Sequence, residues 1–159
     1  MLRRSPRLPP LLAEFDDEER EAVLAANRAF YRAFNERDAD AMEILWAPSG
    51  TMICLHPGQA PLTERADIMA SWRGILKHPQ SPKVRCTDEM VIGRPGLALV
   101  MCREILAEGQ LMATNSFIRL GDGWHMVGHH SGQVPAVDRP RPVPTAASAT
   151  APRDRRKLH

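Results

Sequence analysis

The stretch from Gly109 to Gly132, GQLMATNSFIRLGDGWHMVGHHSG, constrains this chain more than any other. Residues 111–120 and 124–131 are rich in β-branched, aromatic and long apolar side chains, and Asp122-Gly123 between them is a strong short hairpin signal. A two-residue Asp122-Gly123 turn, with Gly123 supplying a positive φ, sets Gly121 opposite Trp124. Counting down that ladder pairs Arg119 with Met126, Phe117 with Gly128 and Asn115 with His130. Side chains alternate between faces, so the spacing predicts an amide and an imidazole side by side on one face. A three-residue loop, 121–123, shifts the register and puts His129 there instead.

The rest of the chain supplies what that hairpin packs against. Residues 16–37, DDEEREAVLAANRAFYRAFNER, carry acids in the first turn, where the helix dipole favours them, and an apolar stripe of Val23, Ala26, Phe30 and Phe34. Asp38 caps a second helix over 39–46, ended by Pro48-Ser49-Gly50. Residues 51–56, TMICLH, read as a short strand stopped by Pro57-Gly58. Thr63 opens a third helix that carries Ile68, Trp72, Ile75 and Leu76. Strands over 83–92 and 97–108 flank the turn Gly93-Arg94-Pro95-Gly96 and precede the hairpin. Helices followed by a run of strands predict an α+β domain, with helices on one face of an antiparallel meander.

Charge and composition narrow the functional classes. The net charge of +2 over 159 residues combines +3 in residues 1–12 and +4 in residues 134–159, which leaves −5 for the domain between. Basic tails on an acidic domain weigh against nucleic-acid binding by the domain itself. No apolar run reaches the length of a membrane span, and the start, MLRRSPRLPPLL, lacks the apolar core of a secretory signal. Cys54, Cys86 and Cys102 are odd in number and at no metal-ligand spacing, which reads as reduced thiols in a cytoplasmic protein. The domain is expected over 13–133, with disordered tails at 1–12 and, rich in Pro, Ala and Arg, at 134–159.

Four segments carry a family likeness: AFYRAFNERDADAM at the first two helices, LHPG after the first strand, ERADIMASWRGIL on the third helix, and TNSFIRLGDGWHMVGHHSG. With these the chain resembles the nuclear transport factor 2-like superfamily and its SnoaL-like branch over residues 16–133. The resemblance implies a cone: a curved sheet wrapped by three N-terminal helices around a pocket, often dimeric through the outer sheet face. It is distantly similar to the ketosteroid isomerases. Where those have a general-base aspartate before proline, this chain has His56-Pro57. Their neutral aspartic acid, followed by one residue and a phenylalanine, is matched by Asn115-Ser116-Phe117, and their first-helix tyrosine by Phe30.

The expected site follows from these residues. His56 at a strand end can act as a base near neutral pH. Asn115, unusual within an apolar strand, can donate to a carbonyl or enolate oxygen, and His130 can orient it or relay a proton. Phe30, Trp72, Cys102, Glu104, Phe117 and Met126 are expected to line the ligand site, with Cys102 and Glu104 on the face of Asn115. Each has a plainer reading: Phe30 and Trp72 as core, Asn115 and His130 as a structural hydrogen bond, His56 as a polar rim residue. His129 and His130 diverge as strand neighbours and cannot chelate one ion together, so no metal is expected, and no cofactor. The expected function is binding of a small apolar molecule, with acid–base chemistry such as isomerisation or elimination beside a carbonyl. The alternative is a non-catalytic binding, oligomerisation or accessory module. Apolar residues on both faces of the later strands point to a homodimer.

Overall fold

A computed structural model describes residues 15–134 apart from residue 122. The expected tails at 1–12 and beyond residue 134, and Asp122 of the expected turn, lie outside the described residues. Three helices come first in the chain, interrupted by one strand: α1 (Asp17–Glu36), α2 (Ala39–Leu45), β1 (Ile53–Leu55) and α3 (Arg65–Lys77). The strands β2 (Arg85–Arg94), β3 (Leu97–Leu106), β4 (Gly109–Leu120) and β5 (Gly123–Gln133) follow. The fold is the expected α+β class.

Local signals account for the helix ends. The Asp16 side chain accepts a hydrogen bond from the Glu19 N–H at 2.8 Å, and Asp17, Glu18 and Glu19 fill the first turn of α1. At the other end Arg37 turns left-handed, with φ 60°. Its guanidinium donates to the carbonyls of His78, Pro79 and Ser81 and so ties α1 to the loop after α3. The Asp38 carboxylate caps α2 through the Ala41 N–H at 2.9 Å.

The sheet runs β1-β5-β4-β3-β2. Four strands form the antiparallel meander, and β1 joins the far edge parallel to β5, pairing Cys54 with His129. The inner face is packed by Ala98, Val100 and Cys102 of β3, Ala113 and Phe117 of β4, and Trp124 and Met126 of β5. Against them lie Val23, Phe30 and Ala33 of α1 and Ile68, Met69, Trp72 and Leu76 of α3. Full burial of one such side chain contributes roughly 1.5–3 kcal/mol. On the outer face Met90, Ile92, Leu97 and Leu99 remain exposed, Ile92 at 66%.

The β4–β5 register departs from expectation. Leu120 pairs with Gly123, so the strand ends meet one residue before the expected turn. Arg119 then pairs with Trp124 and Phe117 with Met126. Between Phe117 and Ser116 the ladder slips: Ser116 faces Gly128, leaving Val127 as an extra residue in β5. Such a bulge exchanges the faces of everything beyond it. Trp124 and Met126 point inward before it, and His129 and Ser131 after it. Asn115 therefore pairs with His129, and the expected Asn115–His130 pair does not form. His130 pairs with Thr114 and is exposed on the outer face.

Candidate functional site

A pocket of about 210 Å³ opens between α1, α3 and the inner face of the sheet. Phe30, Tyr31 and Phe34 of α1, Trp72 and Ile75 of α3, and Val84, Leu106 and Leu111 form its largely apolar wall. Its polar groups are His56, Gln59, Glu104, His129, Ser131 and the Tyr31 hydroxyl. Among the described residues no lysine or arginine lines it.

Each polar group arrives by a simple device. His56 follows β1, which is held by β5 on one side and by a Cys54–Leu62 bridge on the other. Its Nε2 lies 2.9 Å from Ser71 Oγ on α3 and 3.5 Å from Cys54 Sγ. The Trp72 ring stacks edge-on to it at 4.7 Å. His129 enters because of the Val127 bulge. Its ring lies 6.2 Å from that of His56, 5.4 Å from Trp72 and 5.1 Å from Phe30. Glu104 comes from the inward positions of β3. It accepts from Tyr31 OH at 2.8 Å through Oε1 and from Ser131 Oγ through Oε2.

Burial sets the charge states. Desolvation lowers the pKa of His56. The same cause, reinforced by the nearby His56 and His130, pulls His129 down to about 3. Desolvation raises Glu104, against the opposing hydrogen bonds from Ser131 and Tyr31. Burial, followed by the charge of Glu104 and contact with Cys102, drives the Tyr31 phenol upward, so it remains a donor. At neutral pH the pocket holds two neutral imidazoles beside a carboxyl group whose pKa burial has raised.

Of the residues expected from sequence, Phe30, His56, Trp72 and Glu104 line this pocket. Asn115, Cys102, Phe117 and Met126 are buried on the same inner face but lie behind the lining. The Asn115 amide donates to Asn27 Oδ1 at 2.7 Å and to Tyr31 OH at 3.3 Å. Both amide hydrogens are thus engaged, and Asn115 Oδ1 meets His129 Nδ1 at 2.7 Å. Cys102 Sγ lies 3.2 Å from Tyr31 OH. His130 is outside the site, on the opposite face of the sheet.

Sequence reasoning did not place Asn27, Tyr31, Ser71 or Ser131 at the pocket, and it reached His129 only through the alternative register of a three-residue loop. Asn27 and Tyr31 lie one helical turn apart, on the same side of α1 as Val23 and Phe30, so a polar pair within an apolar stripe was the available signal. Phe30, matched by the resemblance to the isomerases' tyrosine, carries no hydroxyl, and the adjacent Tyr31 hydroxyl meets Glu104, Cys102 and Asn115. Among the described residues no group of three or more His, Cys, Asp or Glu side chains is placed to hold a metal ion.

A sheet curved around such a pocket, with helices closing the open side, defines a nuclear transport factor 2-like cone. The chain belongs to the SnoaL-like domain family, whose model matches residues 23–136. It is similar in structure to a candidate dehydratase of the nuclear transport factor 2-like family from Streptomyces avermitilis, with 30% identity and a TM-score of 0.68, covering 74% of this chain and 97% of that one. A candidate calcium/calmodulin-dependent protein kinase type II association domain from Thiobacillus denitrificans is 31% identical, with a TM-score of 0.64, over 70% of this chain and 94% of the other. Among curated proteins it matches F-box protein SKIP8 of Arabidopsis thaliana, 25% identical over 112 residues. The match takes in 69% of this chain, which spans about half the length of that relative (48%). Folds of this kind serve as small-molecule-binding or accessory domains. No described helix is long and apolar enough to cross a membrane.

Proposed function

We propose that the cone binds a small, largely apolar, uncharged molecule and moves a proton on it, as in an elimination or isomerisation beside a carbonyl. The observation that carries this reading is the convergence of His56, His129 and Glu104 on one pocket that is otherwise aromatic and aliphatic. In an elimination, neutral His56 takes the proton from the carbon next to the carbonyl. The electron pair left behind forms the double bond, and the hydroxyl leaves as water with the proton that Glu104 carries in its acid form, the form burial favours. Among the described residues the lining has no cationic side chain, which argues against a carboxylate or phosphate ligand. The likeness to a candidate dehydratase supports the same class of chemistry.

The test uses ketones and β-hydroxy ketones of roughly five to nine carbons, a size suited to a cavity of this order. Incubation in D₂O, followed by NMR, reads deuterium uptake beside the carbonyl and loss of water. The expected result is uptake that falls about 10²–10⁴-fold in His56→Ala. If members of the panel bind yet none exchanges or dehydrates, the catalytic reading fails and a binding module remains.

A second reading concerns assembly and rests on the exposed Met90, Ile92, Leu97 and Leu99 of the outer face. Neighbouring strands bring them together, with Ile92 paired to Leu99. We propose a homodimer through this face, supported by the likeness to a candidate association domain.

A further inference from the structure

A chain of hydrogen bonds runs from the surface to the pocket, and one charged group sets its direction. Glu89 on β2 is paired with Arg28, whose Nη2 lies at 3.1 Å and Nε at 3.2 Å from Oε2. Its other oxygen, Oε1, accepts from Asn27 Nδ2 at 2.9 Å. A carboxylate only accepts, so the Asn27 amide is turned with its nitrogen towards Glu89. Asn27 Oδ1 must then face inward, where it accepts from Asn115 Nδ2 at 2.7 Å. That fixes the second amide in turn, and Asn115 Oδ1 faces His129 Nδ1 at 2.7 Å. Two acceptors cannot bond to one another, so Nδ1 carries the imidazole hydrogen. Asn27 and Asn115 are both fully buried, and no water-exposed alternative relieves either amide.

Nε2 is left as the unprotonated nitrogen of His129, and it has no partner among the described residues. An acceptor nitrogen on the pocket wall calls for a donor from the ligand, and in an uncharged molecule a hydroxyl supplies one. We infer that the ligand of this pocket is a neutral alcohol of about single-ring size, its hydroxyl donating to His129 Nε2, with Glu89 and Asn27 acting as positioning residues that set the His129 tautomer. This rests on the reading of the cavity as a small-molecule pocket and names the polar group that such a molecule must carry. A cavity of about 150 Å³ takes a benzene ring, and 210 Å³ leaves room for a ring with a short substituent.

The probes are cyclohexylmethanol and its isomer methoxycyclohexane, equal in composition and close in volume, with ethylcyclohexane as the hydrocarbon. Binding is read from ¹⁵N-labelled histidine NMR, which also reports the His129 tautomer. The expected result is His129 protonated at Nδ1, with the alcohol binding about tenfold or more tightly than the ether, since the ether leaves Nε2 without a donor. In Glu89→Gln the terminal group can donate as well as accept, so Asn27 and Asn115 are free to turn over. His129 should then populate both tautomers and the preference for the alcohol should shrink. Equal affinity for alcohol and ether overturns the ligand class, and an Nε2-protonated His129 overturns the directional chain. An unchanged tautomer in Glu89→Gln removes the positioning role. If none of the three probes moves a histidine signal, the pocket-binding reading itself fails; if all three bind alike, that reading stands and the hydroxyl inference alone falls. The wild-type measurements decide the ligand class whether or not the variant folds.

Discussion

Asn115→Leu isolates the energetic weight of the buried amide chain. The two side chains share one branched heavy-atom skeleton and leucine is the larger, so the change removes hydrogen bonds and leaves no cavity. It strands two buried groups, the His129 Nδ1–H and Asn27 Oδ1. Tyr31 OH loses one donor but keeps its bond to Glu104. Each stranded group costs about 1–3 kcal/mol, and the apolar surface of leucine returns about 1 kcal/mol. The net loss expected is therefore about 1–5 kcal/mol, a large part of a typical domain's stability. Urea unfolding followed by tryptophan fluorescence measures it, because Trp46, Trp72 and Trp124 are all buried. The midpoint should fall at unchanged slope, the sign of altered stability without altered compactness. A cycle with Asn27→Leu sharpens the test: the double variant no longer contains the stranded Asn27 oxygen, so the two losses should fail to add by about 1–3 kcal/mol. Asn115→Leu within about 0.5 kcal/mol of wild type, the range of an ordinary surface change, refutes the account, and so does an additive cycle.

Four further outcomes follow from the geometry. Glu104 has a raised folded pKa, so its contribution to stability is complete below the unfolded value and is lost as pH rises through the folded one; Glu104→Gln should flatten that alkaline-side loss in thermal melts taken across pH. His129 is depressed to about 3, so its contribution is present above its unfolded value near 6.5 and lost as pH falls towards 3; His129→Phe should flatten the acid limb. A Cβ on Gly128 would meet Ser116 Cβ and Oγ at 3.0 Å; Gly128→Ala should cost about 1–3 kcal/mol in urea unfolding and be largely relieved by Ser116→Gly. Ile92→Lys with Leu99→Lys should convert a sedimenting dimer to a monomer at micromolar concentration with the fold intact by circular dichroism, whereas a wild-type monomer removes the dimer proposal.

Sequence made the elements legible because each carries its own local signal. Asp16 and Asp38 cap α1 and α2, Pro57-Gly58 follows β1, and Gly96, at φ 80°, turns β2 into β3. The placement of Glu104 on the face of Asn115 also followed from alternation alone. The identity of the site histidine did not. It depends on one residue of slip at Val127, and alternation offers no means of counting an extra residue. A trace of the slip was present, since glycine inside a strand often marks a bulge, and Gly128 sits beside this one. Reading α1 only for apolar spacing hid Asn27 and Tyr31, which occupy interior positions but bring hydrogen-bonding groups to them. His56 was legible because its strand ends at a proline, a purely local fact.

The parallel pairing of β1 with β5 also bears on when the site can exist. Ile53, Cys54 and Leu55 find their strand partners at Gly128, His129 and His130, so much of the rest of the chain must be made before the parallel ladder can form. Contacts of such sequence separation form late, after local helices and hairpins have reduced the search. His56 therefore reaches its place only when the strand that carries His129 docks. The strand that seats one histidine of the pocket thus carries the other, and a chain cut short before β5 lacks both the ladder for β1 and His129 itself.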